Sequence, residues 1–292
     1  MQATRVIFKG KFDFGSPETV GRITRLLEPR ILNLYKTDFP WKLEELLPEG
    51  TDQLVIKPES MHLTDRTWKH AIDGLEFMAQ FALCGEVMAF QLGNTKKPGT
   101  VVRPNSEKAA VILYIHAMET DCMVSRRDLL DQTIDKYPAH SDALVARAHL
   151  EMEAGDLEAA MSDLQRALER DPEHSGAMLA YAKCSYHIGD AEDALERLAT
   201  TMKNSMPLED IHWRARHLKS EIYQANAEYA LAAKELKALL TRMDTQPKLL
   251  ADVKKNVREA FTFCQEQLGE PVTFQVETVG KIKKPVLANA TA

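Results

Sequence analysis

The chain has 292 residues, 45% hydrophobic and 27% charged, which suits a globular protein of one or two domains. Residues 1–104 hold 14 Lys+Arg against 13 Asp+Glu, whereas residues 105–268 hold 20 against 28. An acidic stretch of that size repels phosphate backbones, so nucleic acid is excluded as a first choice of partner.

No run of about 18 apolar residues occurs, so no membrane span is expected. The opening MQATRVIFKG lacks the apolar stretch and small-residue site of a secretory signal, which makes the cytoplasm the expected location. Cys84, Cys122, Cys184 and Cys264 are too scattered for a disulfide framework or a zinc site and are expected to be small buried residues.

In chain order, RVIFKGKFDF alternates Val6, Phe8, Phe12 and Phe14 with Lys9, Lys11 and Asp13, which predicts a half-buried strand. Ser16 and Pro17 then open a helix that Pro29 interrupts or kinks. DFPWKLEELLPEG reads as a loop with one short helix, and DQLVIKP as a second strand stopped by Pro58. LTDRTWKHAIDGLEFMAQFAL places Trp68, Ile72, Leu75, Met78 and Ala82 along one side of a second helix, and GEVMAFQLG is a third strand. Crossovers of this length predict some parallel pairing. Residues 1–94 are therefore expected to be a small α/β domain of about three strands and two helices, followed by a Gly/Pro/Lys-rich linker at 95–106.

Beyond the linker the sequence repeats. Ala148, Gly155-Asp156, Ala160 and Leu164 recur as Ala182, Gly189-Asp190, Ala194 and Leu198, each 34 residues on, and Pro138, Pro172 and Pro207 fall 34 and 35 residues apart. The parts have mechanical roles. Glycine permits the backbone that stops one helix, and aspartate caps the next. Alanines let two antiparallel helices approach closely, and proline closes the unit. One such hairpin cannot bury its own apolar face, so several must stack. A looser copy runs from about Trp213 to Met243 with Ala227 in place of the turn glycine. Another, 107–140, keeps Pro138 but puts Tyr114 and Arg126 where small residues belong. Residues 247–269 read as a capping helix, and 270–292 as an extended tail in which Val272, Phe274 and Val276 alternate with polar residues.

These residues resemble the tetratricopeptide repeat family over about 107–268. The fold expected is thus α+β overall: a small α/β domain followed by an all-α solenoid of helical hairpins. In that family the first helix of each hairpin lines a concave groove. The resemblance places Asp142, Val145, His149, Met152 and Glu153 there in one repeat. The next contributes Leu179, Lys183, Tyr186 and His187, and the looser copy Arg214, His217, Glu221 and Gln224. The implied function is a non-catalytic adaptor or scaffold gripping a protein segment. The basic clamp by which some members hold a C-terminal carboxylate is not expected, because Val111, Ile115, Ala146, Gly176 and Ala180 occupy its positions. Two rival readings are a self-assembling subunit that pairs through the tail 270–292, and a ligand-binding or enzymatic domain at 1–94.

Direct signs of chemistry are few. Asp13-Phe14-Gly15 echoes a kinase metal-binding tripeptide without the accompanying motifs. Gly15, Ser16 and Thr19 stand at a helix N-terminus where anions can bind, although an ordinary capped turn explains them as well. His116, Asp121 and Cys122 are close in sequence but nothing fixes them as partners, and His212 and His217 are spaced wrongly to share a helix face as ligands. No catalytic residue, metal or cofactor is assigned.

Overall fold

The computed structural model describes residues 3–92, 99–246, 250–251 and 253–269. The tail 270–292 and the strand chemistry read into it lie outside these residues. The chain forms two compact units, Met1–Ala180 and Tyr181–Ala292.

In the first unit, β1 (Thr4–Asp13), β2 (Gln53–Leu63), β3 (Val87–Gln91) and β4 (Gly99–Val102) form one sheet in the order β2-β1-β3-β4. All pairings are antiparallel, which corrects the expectation of parallel neighbours. The cause lies between β1 and β2. After α1 (Pro17–Arg30) the chain passes through a π-helical turn (Ile31–Tyr35), a 3-10 turn and α2 (Leu43–Leu46), and so reverses once more. Strands β2 and β3, joined by α3 (Asp65–Ala79), do run in the same direction, but β1 lies between them.

Pro29 interrupts the regular helix as expected: α1 ends at Arg30 and widens into the π turn, where the Asn33 side chain donates to the Pro29 carbonyl at 2.8 Å. Two local expectations change. Pro58 does not stop β2, because it sits on an edge strand where the register shifts opposite Phe8 and Gly10, and a missing N–H is tolerated there. Gly99–Val102, expected in a linker, adds the fourth strand through its β-branched residues. The core under the sheet joins Phe8, Phe12, Leu54, Val87 and Ala89 to Ile23, Leu27, Leu75 and Met78 from α1 and α3.

The same unit contains the hairpins α4 (Ala109–Glu119) with α5 (Met123–Lys136) and α6 (Ser141–Ala154) with α7 (Leu157–Arg170). Gly155 takes the left-handed conformation at φ 85°, and Asp156 accepts from the Ala159 amide at 3.0 Å, so stop and start are made by adjacent residues. Between the helices, Ala148, Ala160, Leu164 and Ala167 are completely buried. Helix α8 (Ser175–His187) follows.

In the second unit, α9 (Ala191–Asn204) begins at Asp190 and is followed by α10 (Asp210–Ala225), α11 (Tyr229–Thr245) and α12 (Lys254–Leu268). Trp213, Leu236, Leu239, Leu240 and Met243 pack with Val257, Phe261 and Cys264, so α12 covers the apolar side of α11.

Candidate protein-interaction face

Helix α6 shows how a repeat divides its sides. Arg147 grips Asp163 of α7 with Nε and Nη2 at 2.6 and 2.8 Å, and reaches Asp131 of α5 with Nη1 at 2.7 Å. Glu151, one turn on, is buried and accepts from Arg127 of α5. The paired carboxylates hold the Arg147 guanidinium well above its ordinary pKa. At the positions between and beside these inward residues, on another side of the helix, Val145 is buried, Met152 is half-buried, and His149 and Glu153 are exposed. These are four of the five positions assigned to α6.

Asp142, the fifth, has a different task. Its carboxylate accepts from the Gly85 amide at 2.8 Å and from Nε2 of His174 at 3.2 Å. It therefore joins the turn before β3 to the loop before α8. Burial works against its charge, but the His174 bond and charge outweigh that and hold the Asp142 carboxyl well below the usual range.

Asp142 belongs to a polar joint between the sheet and the hairpins of the first unit. Fully buried Asp13 accepts from Arg170 Nε at 2.6 Å, from the Tyr137 hydroxyl at 2.9 Å and from the Gly15 amide at 2.9 Å. Arg170 also donates to Asp52 at 2.7 Å, and Lys11 pairs with Asp171 at 3.1 Å. The Asp13-Phe14-Gly15 tripeptide is thus a docking element. The turn after it keeps its own donors: Ser16 accepts from the Thr19 amide at 3.3 Å and shares a hydroxyl bond with Thr19, as expected of an ordinary cap.

Two histidines complete the joint, and the sequence reading passed over them. His140 and His174 stand 34 residues apart, and each accepts a backbone amide at Nδ1, from Ala143 at 3.2 Å and Ala177 at 3.1 Å. They cap α6 and α8. Accepting at Nδ1 leaves the proton of the neutral ring on Nε2. In His174 that proton faces Asp142. In His140, Nε2 is buried without a protein partner beside Cys84 and Asp142. Cys84, His140 and Asp142 bring potential ligand atoms within 4.8 Å of one another. They fit a metal poorly, since ligation through Nε2 would put a proton on Nδ1 against the Ala143 N–H. Burial lowers the His140 pKa. In His174 burial acts the same way, but Asp142 prevails and raises it.

The remaining assigned positions fall on α8 and α10. Leu179, in the first unit, is half-buried. In the second unit Lys183 and His187 are exposed and Tyr186 is half-buried. Inward-facing Tyr181 is instead stacked beneath the Arg197 guanidinium of α9, 3.8 Å from its ring centre. On α10, Arg214 pairs with Asp210 at 2.6 Å, His217 is half-buried, Glu221 is exposed, and Gln224 donates to the Ser220 carbonyl at 3.2 Å. Arg216, adjacent in the chain, turns inward to Glu235. His116 and Cys122 are exposed, and Cys122 stands just before α5 at the hairpin turn. Buried His212 meets the Ser205 hydroxyl at 3.2 Å. Among the described residues, no helix is long and apolar enough to cross a membrane.

The tetratricopeptide repeat family matches residues 151–205. No curated protein matches the chain. Similar solved structures include the MamA protein, 12% identical, covering 56% of this chain and 84% of that one at a TM-score of 0.43. Another is PilF of Pseudomonas aeruginosa, 16% identical, covering 55% and 68% at 0.46. A third is the first repeat domain of Spaghetti (RPAP3) bound to an HSP90 peptide, 17% identical, covering 42% and 96% at 0.37. At the level of the family, such repeats build protein-interaction surfaces. The stretch from the last turn of α6 through α9, residues 151–205, is what matches the tetratricopeptide repeat.

Proposed function

We propose that the protein is a non-catalytic scaffold whose repeat helices hold a segment of another protein on the faces that hairpin packing leaves free. The observation that carries this reading is the division of α6. Arg147 and Glu151 are spent on neighbouring helices, while Met152 and Glu153 offer mixed polar and apolar contacts on another side. Such a mixture suits a peptide that brings both backbone and side chains. The joint supports the non-catalytic part of the reading. Asp13, Tyr137, Arg170, Asp142 and His174 hold the sheet to the repeats and have their hydrogen bonds engaged there. Asp142 is accordingly removed from the proposed binding face.

A photo-reactive side chain placed at Met152, and separately at Tyr186, tests the proposal. Cross-links that map to one stretch of one protein, and that weaken when Lys183→Glu is combined with Tyr186→Ala, are the expected result. Adducts scattered over many proteins, or recovered equally from that variant, would count against it.

A further inference from the structure

We infer that the part of this face carried by α4 and α6 takes an amphipathic segment whose charged side is basic. The inference rests on the groove reading above and adds the chemistry of the occupant.

The repeat register sets Ile115, Met118 and Glu119 of α4 equivalent to His149, Met152 and Glu153 of α6, 34 residues on. One turn earlier, Val111 and Val145 are both buried and form the floor. Above them the side chains emerge: Ile115 is 37% and Met118 51% exposed, and Met123, where α5 begins, is 50% exposed. Met118, Met123 and Met152 give these helices polarizable apolar side chains that can repack around different apolar anchors.

Two carboxylates carry the acidic charge on this strip, with His116 the basic residue in the last turn of α4. Glu119 is the last residue of α4, and Glu153 lies in the last turn of α6. Both are exposed, and neither has an ion pair among the described residues. The carbonyl end of a helix is already negative, so a carboxylate there stands against the helix dipole. No basic residue occupies the last turn of α6 to offset it. The nearby cations are committed elsewhere: Lys108 to the Phe81 carbonyl at 2.8 Å, Arg126 to the Thr120 carbonyl, and Arg127 to Glu151. A visiting Lys or Arg would meet a carboxylate beside a carbonyl end on either helix while its apolar neighbours covered the methionines.

The test measures binding to the full chain of two fluorescent peptides patterned as amphipathic helices, one of leucine and lysine and one of leucine and glutamate. The lysine peptide is expected to bind, with affinity falling as salt rises. Glu119→Lys with Glu153→Lys is expected to weaken it by about tenfold or more and to admit the glutamate peptide. Glu119→Gln with Glu153→Gln gives an intermediate loss and guards against a folding artefact. If both peptides bind equally, or the glutamate peptide binds better, the charge assignment fails while the groove stands. If neither binds, or lysine-peptide binding survives Met118→Glu with Met152→Glu, the groove reading fails as well.

Discussion

Hairpins α6–α7 and α10–α11 have the same shape built by different means. At the first turn, Gly155 is left-handed and two backbone bonds close the loop, from Gly155 to Met152 and from Asp156 to Glu151. At the other, the same pair runs from Ala227 to Gln224 and from Glu228 to Tyr223, with Ala227 at φ 58°. An alanine there places its Cβ against the backbone, which glycine avoids. Aspartate caps α7 through its side chain, whereas Glu228 makes no side-chain cap on α11. The fold tolerates a poorer turn because the α10–α11 hairpin has the aromatic and aliphatic cluster of Trp213, Leu239 and Phe261 around it. The α6–α7 hairpin packs around the smaller Ala148, Ala160 and Ala167, and its ends are tied to the sheet by Asp142 with Gly85 and by Arg170 with Asp13.

The comparison breaks hardest at those ends. Arg170→Ala strips the charge partner from fully buried Asp13 and should cost about 3 kcal/mol, since removing one side of a buried pair leaves the other uncompensated. Chemical denaturation of the full chain measures it, and a loss below about 1 kcal/mol would show that the joint contributes little. The turns come next. Ala227→Gly should stabilise the second unit by about 1 kcal/mol, and Gly155→Ala should cost the first a similar amount, because the left-handed strain is added or removed. Opposite signs in thermal melting are the check, and equal signs would refute the matched-turn account.

The smallest effect concerns pH. His140 has its pKa lowered in the fold by burial, so its contribution is complete above the unfolded value of about 6.5 and is lost as pH falls toward the folded value. His174 is raised, so its contribution is present below about 6.5 and is lost as pH rises through the folded value. His140→Asn keeps a capping acceptor without the titration. It should flatten the loss of stability on the acid side and leave the His174 trend, as read by denaturation across pH 5–8 (a window set by the histidine range). Helix α10 opens with Glu209 rather than histidine, so no such term is expected there.

The repeats were legible because their signals are local. Glycine, aspartate and proline recur at a fixed interval, and helix spacing identifies the buried face within one turn. The strands were legible for the same reason, but their pairing was not. Whether β2 lies parallel or antiparallel to β1 depends on how often the chain turns between residues 30 and 53, and loop composition does not record that. Asp142 was assigned to the groove by its place in the repeat. Only its distance from Gly85 and His174 shows it bound within the chain. The histidine caps had a visible signal, the 34-residue spacing of His140 and His174, which was missed because histidine is an uncommon cap.

Asp13 and Arg170 are separated by 157 residues. On the ribosome, the strand that carries Asp13 emerges long before the helix that neutralises it. Until α7 follows, the carboxylate must stay hydrated at the end of β1, and that end of the sheet cannot close. Assembly of the sheet domain is therefore finished by the repeats, so a nascent chain halted before residue 170 holds an N-terminal half that is translated in full but not yet sealed.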